Sequence, residues 1–303
     1  MKQDKKDPTF LLDPHTLKRG KYTELDNGLP EGYRYVKKIM LDDGKIYYTK
    51  GQEDKYAIGS AASSLLYRDI GIDTPPIQII KSKTDRKNEH TIIQPDVTQS
   101  PGIEAILARH DVEYKKIFLD FTIDNFKWRI FYDYGIREKF LEFMTPHCLE
   151  KLINIYLAAE LRTDIDPTLN NYFLYRTPES ILYEGIIAID LAQMKIMQHL
   201  PSTRGEFINF RVTPYSSVGI TQKEDYLSFV SRINDLRELL DEGLLSPYNL
   251  EMMIKLLRQN YPEYIKTLCK QHKIPRKLAN KLYSSSAYLW EYTQDQFKDD
   301  LNL

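Results

Sequence analysis

The first hundred residues alternate apolar or aromatic runs of strand length with residues that favour turns. Tyr33–Met40 and Lys45–Lys50 are two such runs, and they flank Leu41-Asp42-Asp43-Gly44. Asp-Gly between two apolar runs is a strong local signal for a β-hairpin, because these residues accept the backbone geometry of a tight turn. Ile77–Lys81 and Thr91–Val97 have the same character, so the pattern predicts two further strands.

Helical spacing of apolar residues begins between the predicted hairpin and the next strand. It runs from Tyr56 to Ile70, and Gly71 stands where a helix C-cap is expected. Pro146–Leu161 predicts a second helix that is apolar around almost its whole circumference. We expect further helices over Ile103–Ala108, Glu138–Phe143, Tyr226–Glu242, Pro247–Gln259, Pro262–His272 and Arg276–Gln296. The aromatic run from Phe118 to Tyr132 is interpreted as core packing.

A second hairpin is predicted in the middle of the chain. Tyr172–Tyr175 and Ile186–Ile189 have strand character, and Thr177, Pro178 and Gly185 bracket the turn between them. Side chains with carboxylate or amide oxygens gather at its open end: Asp164, Asp166, Asn170, Asn171 and Asp190. Such oxygens suit Mg²⁺. Taken alone, the same residues also fit capping and turn positions around an ordinary hairpin.

The order of these features resembles a kinase. An Asp five residues before an Asn, then a hairpin, then an Asp that closes an apolar strand is the order in which kinases place a catalytic base and two metal ligands. The segment is most similar to the HipA-like kinases and their phosphoinositide-kinase relatives. The resemblance rests on Asp166-Pro167-Thr168-Leu169-Asn170-Asn171 and on Ile189-Asp190-Leu191-Ala192. Gly71-Ile72-Asp73-Thr74-Pro75-Pro76, between a helix and a strand, also looks like this family.

The resemblance assigns a role to each candidate residue. It implies that Asp166 acts on the acceptor hydroxyl, that Asn171 and Asp190 hold Mg²⁺, and that Lys50 contacts the phosphates of ATP. Thr91–Val97 becomes the last strand and the hinge. By itself Lys50 could equally be a solvated lysine at a strand end.

Several positions depart from the family pattern. Thr168 stands where the family often has a His, and Ala192 replaces the Gly of D-F-G. No G-x-G-x-x-G precedes the first hairpin. The Glu that pairs with the strand lysine is replaced by Ser60, so we expect a carboxylate from the preceding loop, Glu53 or Asp54, to take its place, with Glu53 preferred for its reach. Otherwise the lysine is held differently or catalysis has been lost.

Composition limits the class of protein. The chain has 303 residues, 42% hydrophobic and 28% charged, with a formal net charge of −1, as expected of a soluble globular protein with no bulk affinity for nucleic acid. Cys148 and Cys269 fall within apolar helical patterns, which predicts buried free thiols in a reducing compartment. No signal peptide and no transmembrane segment is predicted. A basic stretch from Lys266 to Lys281 is either a solvated face or a contact for an anionic head group or polyphosphate.

We therefore expect an α+β, bilobal, protein-kinase-like fold. Residues 1–30 would be a flexible lead-in, 31–98 an N-lobe with a small antiparallel sheet, and 99–303 a mostly helical C-lobe. The expected function is that of an ATP- and Mg²⁺-dependent kinase that phosphorylates Ser or Thr of a protein. A pseudokinase or nucleotide-binding scaffold and a phosphoinositide kinase are the alternatives. The resemblance implies a bacterial toxin or effector, cytoplasmic or delivered into a host cell without a signal peptide.

Overall fold

This computed structural model describes residues 22–26, 36–81, 89–119, 130, 133–162, 171–189 and 233–302. Its amino-terminal part is an antiparallel sheet of five strands in the order β1-β2-β3-β5-β4. The strands are β1 (Tyr22–Leu25), β2 (Val36–Leu41), β3 (Ile46–Glu53), β4 (Gln78–Lys81) and β5 (Glu89–Pro95).

The turn between β2 and β3 forms where Asp-Gly predicted it. Gly44 has a φ of 79°, in the left-handed region that glycine adopts without steric cost. Its amide donates to the carbonyl of Leu41 at 2.9 Å, and the Asp43 side chain accepts from the amide of Lys45 at 3.1 Å. The predicted hairpin is confirmed.

The two faces of this sheet pack differently. Ile39, Tyr47 and Ile93 form a small buried cluster on the outer face. On the inner face, Ile79 and Ile92 lie opposite each other and join the main core. This alternation follows from the period of two along each strand.

Helix α1 (Asp54–Ile70) follows β3 with no connecting residue. Its apolar stripe is buried against the inner face of the sheet and includes Ala57, Ile58, Ala61, Ala62 and Leu66. The helix ends at Gly71, whose φ of 90° provides the left-handed C-cap, and the predicted helix is confirmed.

A second sheet has three strands in the order β6-β7-β8. They are β6 (Glu104–Leu107), β7 (Tyr172–Arg176) and β8 (Gly185–Ala188), and both pairs are antiparallel. The predicted hairpin of β7 and β8 is confirmed. The helix predicted over Ile103–Ala108 is wrong, because pairing of Glu104–Leu107 with β7 overrides the helical preference of Glu, Ala and Leu.

The remaining described elements are helical. They are α2 (Val112–Leu119), α3 (Tyr134–Leu141), α4 (Pro146–Arg162), α5 (residues 233–241), α6 (Pro247–Arg258), α7 (Tyr261–Gln271) and α8 (Arg276–Leu301). As its all-round apolar pattern predicted, α4 is central to the core: Leu152, Ile153, Tyr156, Leu157 and Leu161 are all buried. One continuous core joins α1, α4, the β7–β8 hairpin and the carboxy-terminal helices.

Two other expectations have clear outcomes. The flexible lead-in predicted over residues 1–30 is wrong for residues 22–25, which form the edge strand β1 and pair with β2. Cys148 and Cys269 are buried free thiols, as predicted, and burial raises the pKa of Cys148 to about 12. The aromatic run from Phe118 to Tyr132 lies mostly outside the described residues. The helix predicted over Tyr226–Glu242 is described only from residue 233 onwards.

None of the helices that the structure describes combines the length and the apolar character needed to cross a lipid bilayer.

Gly185 gives a test of this packing. A Cβ atom at this position would lie 2.2 Å from Cζ of the Tyr175 ring, so the ring would have to move. We expect Gly185→Ala to lower the free energy of unfolding by about 1–3 kcal/mol, the usual cost of overpacking. Chemical denaturation measures this change.

Gly59 provides the matched control. It lies inside α1, and a Cβ atom there would meet nothing within 4 Å. Gly59→Ala should therefore raise the free energy of unfolding by about 0.5–1 kcal/mol, through helix propensity. If Gly185→Ala were also neutral or stabilising, the Tyr175 ring would not be fixed against the hairpin.

Candidate functional site

Lys50 lies on the inner face of the five-stranded sheet. Residues directly opposite each other in an antiparallel pair point to the same side. Lys50 is opposite Ile92 of β5, which is buried in the core that contains α1. The lysine predicted to bind phosphate is thus on the central strand, on the same face of the sheet as α1.

Lys38 and Tyr48 share this inner face and lie nearer the end of β5. Lys38 is directly opposite Tyr48, and its Nζ lies 5.4 Å from the centre of the Tyr48 ring. The same Nζ is 3.2 Å from the buried carboxylate of Asp96. Burial alone would lower the pKa of Lys38, but the hydrogen bond to Asp96 and the neighbouring Tyr48 outweigh it and leave the pKa raised. The inner face therefore carries a second lysine, two residues along β2 from Val36, the partner of Lys50.

The segment after β5 occupies the position predicted for a hinge. Asp96 fixes its conformation: the side chain accepts from the amide of Thr98 at 3.0 Å and from its hydroxyl at 2.7 Å. The Asp96 amide donates to the carbonyl of Ile46 at 2.9 Å, which ties the segment to β3. This arrangement holds the chain in one path as it leaves the sheet.

The ion pair expected between Glu53 and Lys50 is not formed. The Glu53 carboxylate pairs with Lys55 at 3.2 Å and its side chain is 62% exposed. Glu53 lies three residues from Lys50 along the strand, so the alternation of side chains directs it to the other face. Ser60, which stands where the family has its Glu, is 1% exposed, and within the described ranges its Oγ has no hydrogen-bond partner.

Asp54 is the carboxylate that is buried at the start of α1. Nδ1 of His90, on β5, donates to Oδ1 of Asp54 at 2.6 Å, and both side chains are at least nine-tenths buried. An acidic group in the first turn is also favoured by the helix dipole. No local pattern in the sequence indicates this pair, because the two residues are 36 positions apart.

Asn171 lies at the open end of the β7–β8 hairpin. Its carbonyl accepts from the amide of Ile189 at 2.7 Å, one step beyond the pairing of Tyr172 with Ala188. Asn171 and Ile189 are therefore neighbours across the hairpin mouth, and Asp190 is the next residue in sequence.

The other residues predicted around this mouth lie outside the described residues: Asp164, Asp166, Asn170 and Asp190. In the part of the chain that is described, no three His, Cys, Asp or Glu side chains gather as a metal-binding group. The described contribution to the predicted metal site is thus Asn171 alone.

Asp73 fastens the amino-terminal part to the hairpin. Its carboxylate accepts from Nζ of Lys151 on α4 at 2.6 Å and from the hydroxyl of Tyr175 on β7 at 3.1 Å. Its carbonyl accepts from the amide of Ala188 on β8 at 2.9 Å. Burial alone would lower the pKa of Lys151, but the hydrogen bond and charge of Asp73 leave it raised. The G-I-x-x-P segment thereby sets the position of the hairpin relative to the sheet.

A cavity of about 420 Å³ is lined in part by residues 96–100, the predicted hinge segment that follows β5. Its lining combines the end of α1, the segment after it, the hinge segment and the β7–β8 hairpin, and includes Arg68, Asp73, Thr74, Val97, Tyr175 and Ile187. Neither Lys50 nor Asn171 is among the described residues that line it.

Comparison with known proteins gives structural matches only. No family model and no curated protein matches the sequence. The proinflammatory kinase CtkA of Helicobacter pylori is similar with a TM-score of 0.51 and 12% identity, over 92% of this chain and 94% of that chain. HipA of Shewanella oneidensis MR-1, solved with HipB and operator DNA, is similar with a TM-score of 0.51 and 14% identity, over 93% of this chain and 66% of that chain. The chain thus has a kinase-like fold similar to that of the HipA-like kinases, as the sequence predicted.

Proposed function

We propose that this protein is an ATP- and Mg²⁺-dependent phosphotransferase that acts on serine or threonine hydroxyls of a protein. The observation that carries the proposal is the position of Lys50 on the inner face of the sheet, together with Asn171 at the hairpin mouth and the Asp73 contacts that set the two parts in place. The kinase-like fold supports it. The names of the two neighbours, a proinflammatory kinase and a toxin–antitoxin protein, support the class of bacterial toxin or effector.

Each proposed residue has a separate task. Lys50 holds the phosphates as a point charge. Asn171 and Asp190 supply oxygen ligands to Mg²⁺, whose preferred donors they match. Asp166 orients the acceptor hydroxyl and receives its proton as the acceptor oxygen bonds to the γ-phosphorus, while the bond from that phosphorus to the bridging oxygen breaks and ADP leaves with the electron pair. ATP with Mg²⁺ supplies, when bound, the phosphoryl group and the charge that stabilises its transfer.

A pseudokinase is the second candidate function. It is favoured by Ser60 in place of the helix Glu and by the pairing of Glu53 with Lys55 rather than Lys50. Such a protein would keep nucleotide binding and lose phosphoryl transfer. An inositol lipid or a polyphosphate is the alternative acceptor. Purified protein incubated with γ-labelled ATP, Mg²⁺ and a panel of protein and lipid acceptors distinguishes these functions.

Metal-dependent nucleotide binding is the first expected outcome. A ligand at 100 times its Kd stabilises the native state by about 2.7 kcal/mol. ATP and Mg²⁺ together should therefore raise the Tm by more than either alone, in a thermal-shift measurement. Asn171→Ala and Asp190→Ala should remove the Mg²⁺-dependent part of the rise. Equal shifts in wild type and Asp190→Ala would exclude Asp190 as a metal ligand.

Asp166 is expected to act in chemistry and not in nucleotide binding. Asp166→Ala should abolish phosphoryl transfer while the Kd for ATP stays within about threefold of wild type, because this group acts on the acceptor. Radiolabel transfer and calorimetric titration measure the two quantities. Asp164→Ala is the control and should remain active. Loss of activity in Asp164→Ala but not in Asp166→Ala would show that the catalytic base is Asp164.

Lys50→Met tests the phosphate contact. Hydrogen bonds to charged groups contribute about 1.5–3 kcal/mol, so kcat/KM for ATP should fall roughly 10- to 100-fold. Lys37→Met is the matched control on the neighbouring strand, since Lys37 alternates with Lys38, is half exposed and pairs with Glu24. An unchanged kcat/KM in Lys50→Met would mean that another cation binds the phosphates.

A further inference from the structure

Helix α7 lies along α1, contacts its carboxy-terminal end directly and approaches its amino-terminal end through His90 of β5. At the carboxy-terminal end of α1, the hydroxyl of Tyr264 donates to the carboxylate of Asp69. At the amino-terminal end, His272, which directly follows α7, stands edge-on to His90, with ring centres 6.1 Å apart and an angle of 80° between the rings. The orientation of α1 is therefore fixed by a carboxy-terminal helix as well as by the sheet.

The contact at the amino-terminal end is connected to the strand of Lys50. Lys50 and Gln52 are two residues apart on β3 and share the inner face, and Gln52 lies opposite His90. The hydrogen bond of 2.6 Å from His90 to Asp54 then crosses from β5 to the junction of β3 and α1. Since β3 runs into α1 without a connecting residue, this bond fixes the end of the strand four residues from Lys50.

We propose that Asp54, His90 and His272 form a positioning cluster for Lys50. Asp54 and His90 hold the end of β3 against β5. His272 packs its ring against His90 from the side of α7. The three side chains position Lys50 and make no contact with the nucleotide themselves. This inference rests on the proposed function, in which Lys50 binds the phosphates.

The charge state of His272 gives the cluster a dependence on pH. Burial lowers the pKa of His272 below the ordinary value of 6.5, and the neighbouring His90 lowers it further. The titratable group that faces it is His90 from β5, which in turn bonds to Asp54 at the start of α1. Cys269 lies three residues earlier, on α7. Burial, with the charge of Asp54, raises the pKa of the Cys269 thiol to about 11, so that thiol stays neutral. Lys270 and Lys273, on either side in sequence, are exposed.

The sign of the effect follows from linkage. Because the folded pKa of His272 lies below the unfolded value, the unfolded state binds more protons in the interval between them. The contribution of neutral His272 to the free energy of unfolding is fully present above pH 6.5, and it is lost as the pH falls through the folded pKa. Protonation would place a cation beside His90 and loosen α7 from the start of α1.

A double-mutant cycle with Lys50 tests the proposal. The readout is the Kd for ATP with Mg²⁺, by calorimetry, for Asp54→Asn and His272→Gln, each with Lys50 present and with Lys50→Met. We expect each variant to weaken binding roughly tenfold when Lys50 is present and by no more than about twofold in Lys50→Met, since residues that act through one another are not additive. Equal losses in both backgrounds would overturn the positioning role.

Asp69→Asn is the matched control. It weakens the contact of α7 with the other end of α1, because a neutral amide oxygen accepts from Tyr264 less strongly than a carboxylate. It should lower the free energy of unfolding, yet change the Kd by no more than about twofold in either background. A tenfold effect of Asp69→Asn that also depends on Lys50 would assign the positioning to the whole helix and overturn the cluster as its source.

Titration of wild type and His272→Gln supplies a measurement that does not depend on a destabilised variant. Between about pH 7.5 and about pH 5.5, binding should weaken more in wild type than in His272→Gln, because only wild type gains a charge at this partly buried position. Identical pH profiles would contradict the role of His272. Wild type that binds ATP but transfers no phosphoryl group would refute the phosphotransferase and leave the cluster standing. Wild type that binds no ATP would refute both.

Discussion

The contacts of Asp73 set the position of the amino-terminal sheet and α1 relative to α4 and the β7–β8 hairpin. The Asp73 carboxylate accepts hydrogen bonds from Lys151 and Tyr175, and its carbonyl accepts from the amide of Ala188. Asp73 therefore joins the segment after α1 to α4, β7 and β8. Lys151 is only 16% exposed. Removing the carboxylate would leave a largely buried ammonium without its partner, which costs far more than the loss of a surface ion pair. The conformation of the Gly71 cap matters for the same reason, since it directs Asp73 towards the hairpin.

Helix α1 is buried on two sides, so the amino-terminal sheet and the carboxy-terminal helices share one core. The sheet covers one side of α1, and α6 and α7 cover another, so one core continues from the sheet into the carboxy-terminal helices. Polar contacts accompany the apolar ones at both ends of the helix, through Asp54 and Asp69. A helix held in this way has little freedom to rotate, because packed interiors resist small displacements.

The predictable part of this structure is the part encoded by neighbours in sequence. The Asp43-Gly44 turn, the apolar stripe of α1 with its Gly71 cap, the buried helix α4 and the β7–β8 hairpin all follow from local patterns. Strand β6 does not, because Glu104–Leu107 is helix-forming in isolation and is a strand only through its pairing with β7. Strand β1 is a short, mostly exposed edge whose sequence carries no apolar alternation.

The same distinction applies to the site. The order along the chain predicts Lys50 and Asn171 as candidate site residues, whereas the contacts around the candidate site join residues far apart. Lys151 and Asp73 are separated by 78 positions, and His90 and Asp54 by 36. Such pairs leave no periodic signal. The longer reach of Glu53 favours it over Asp54 from the sequence, but the structure buries Asp54, which His90 satisfies, and leaves Glu53 in solvent.

The direct passage from β3 into α1 has a consequence for how relatives of this protein can vary. One residue inserted or deleted at this junction would turn the helix by about 100° about its axis and carry its apolar stripe away from the sheet. Substitutions that keep the stripe apolar cost far less, because cores tolerate changes of residue more readily than changes of register. The spacing from Lys50 to Gly71 should therefore be kept across relatives in which the residues between have diverged. For a chain with 12–14% identity to its structural neighbours, that fixed interval is a more durable identifier than any residue inside it.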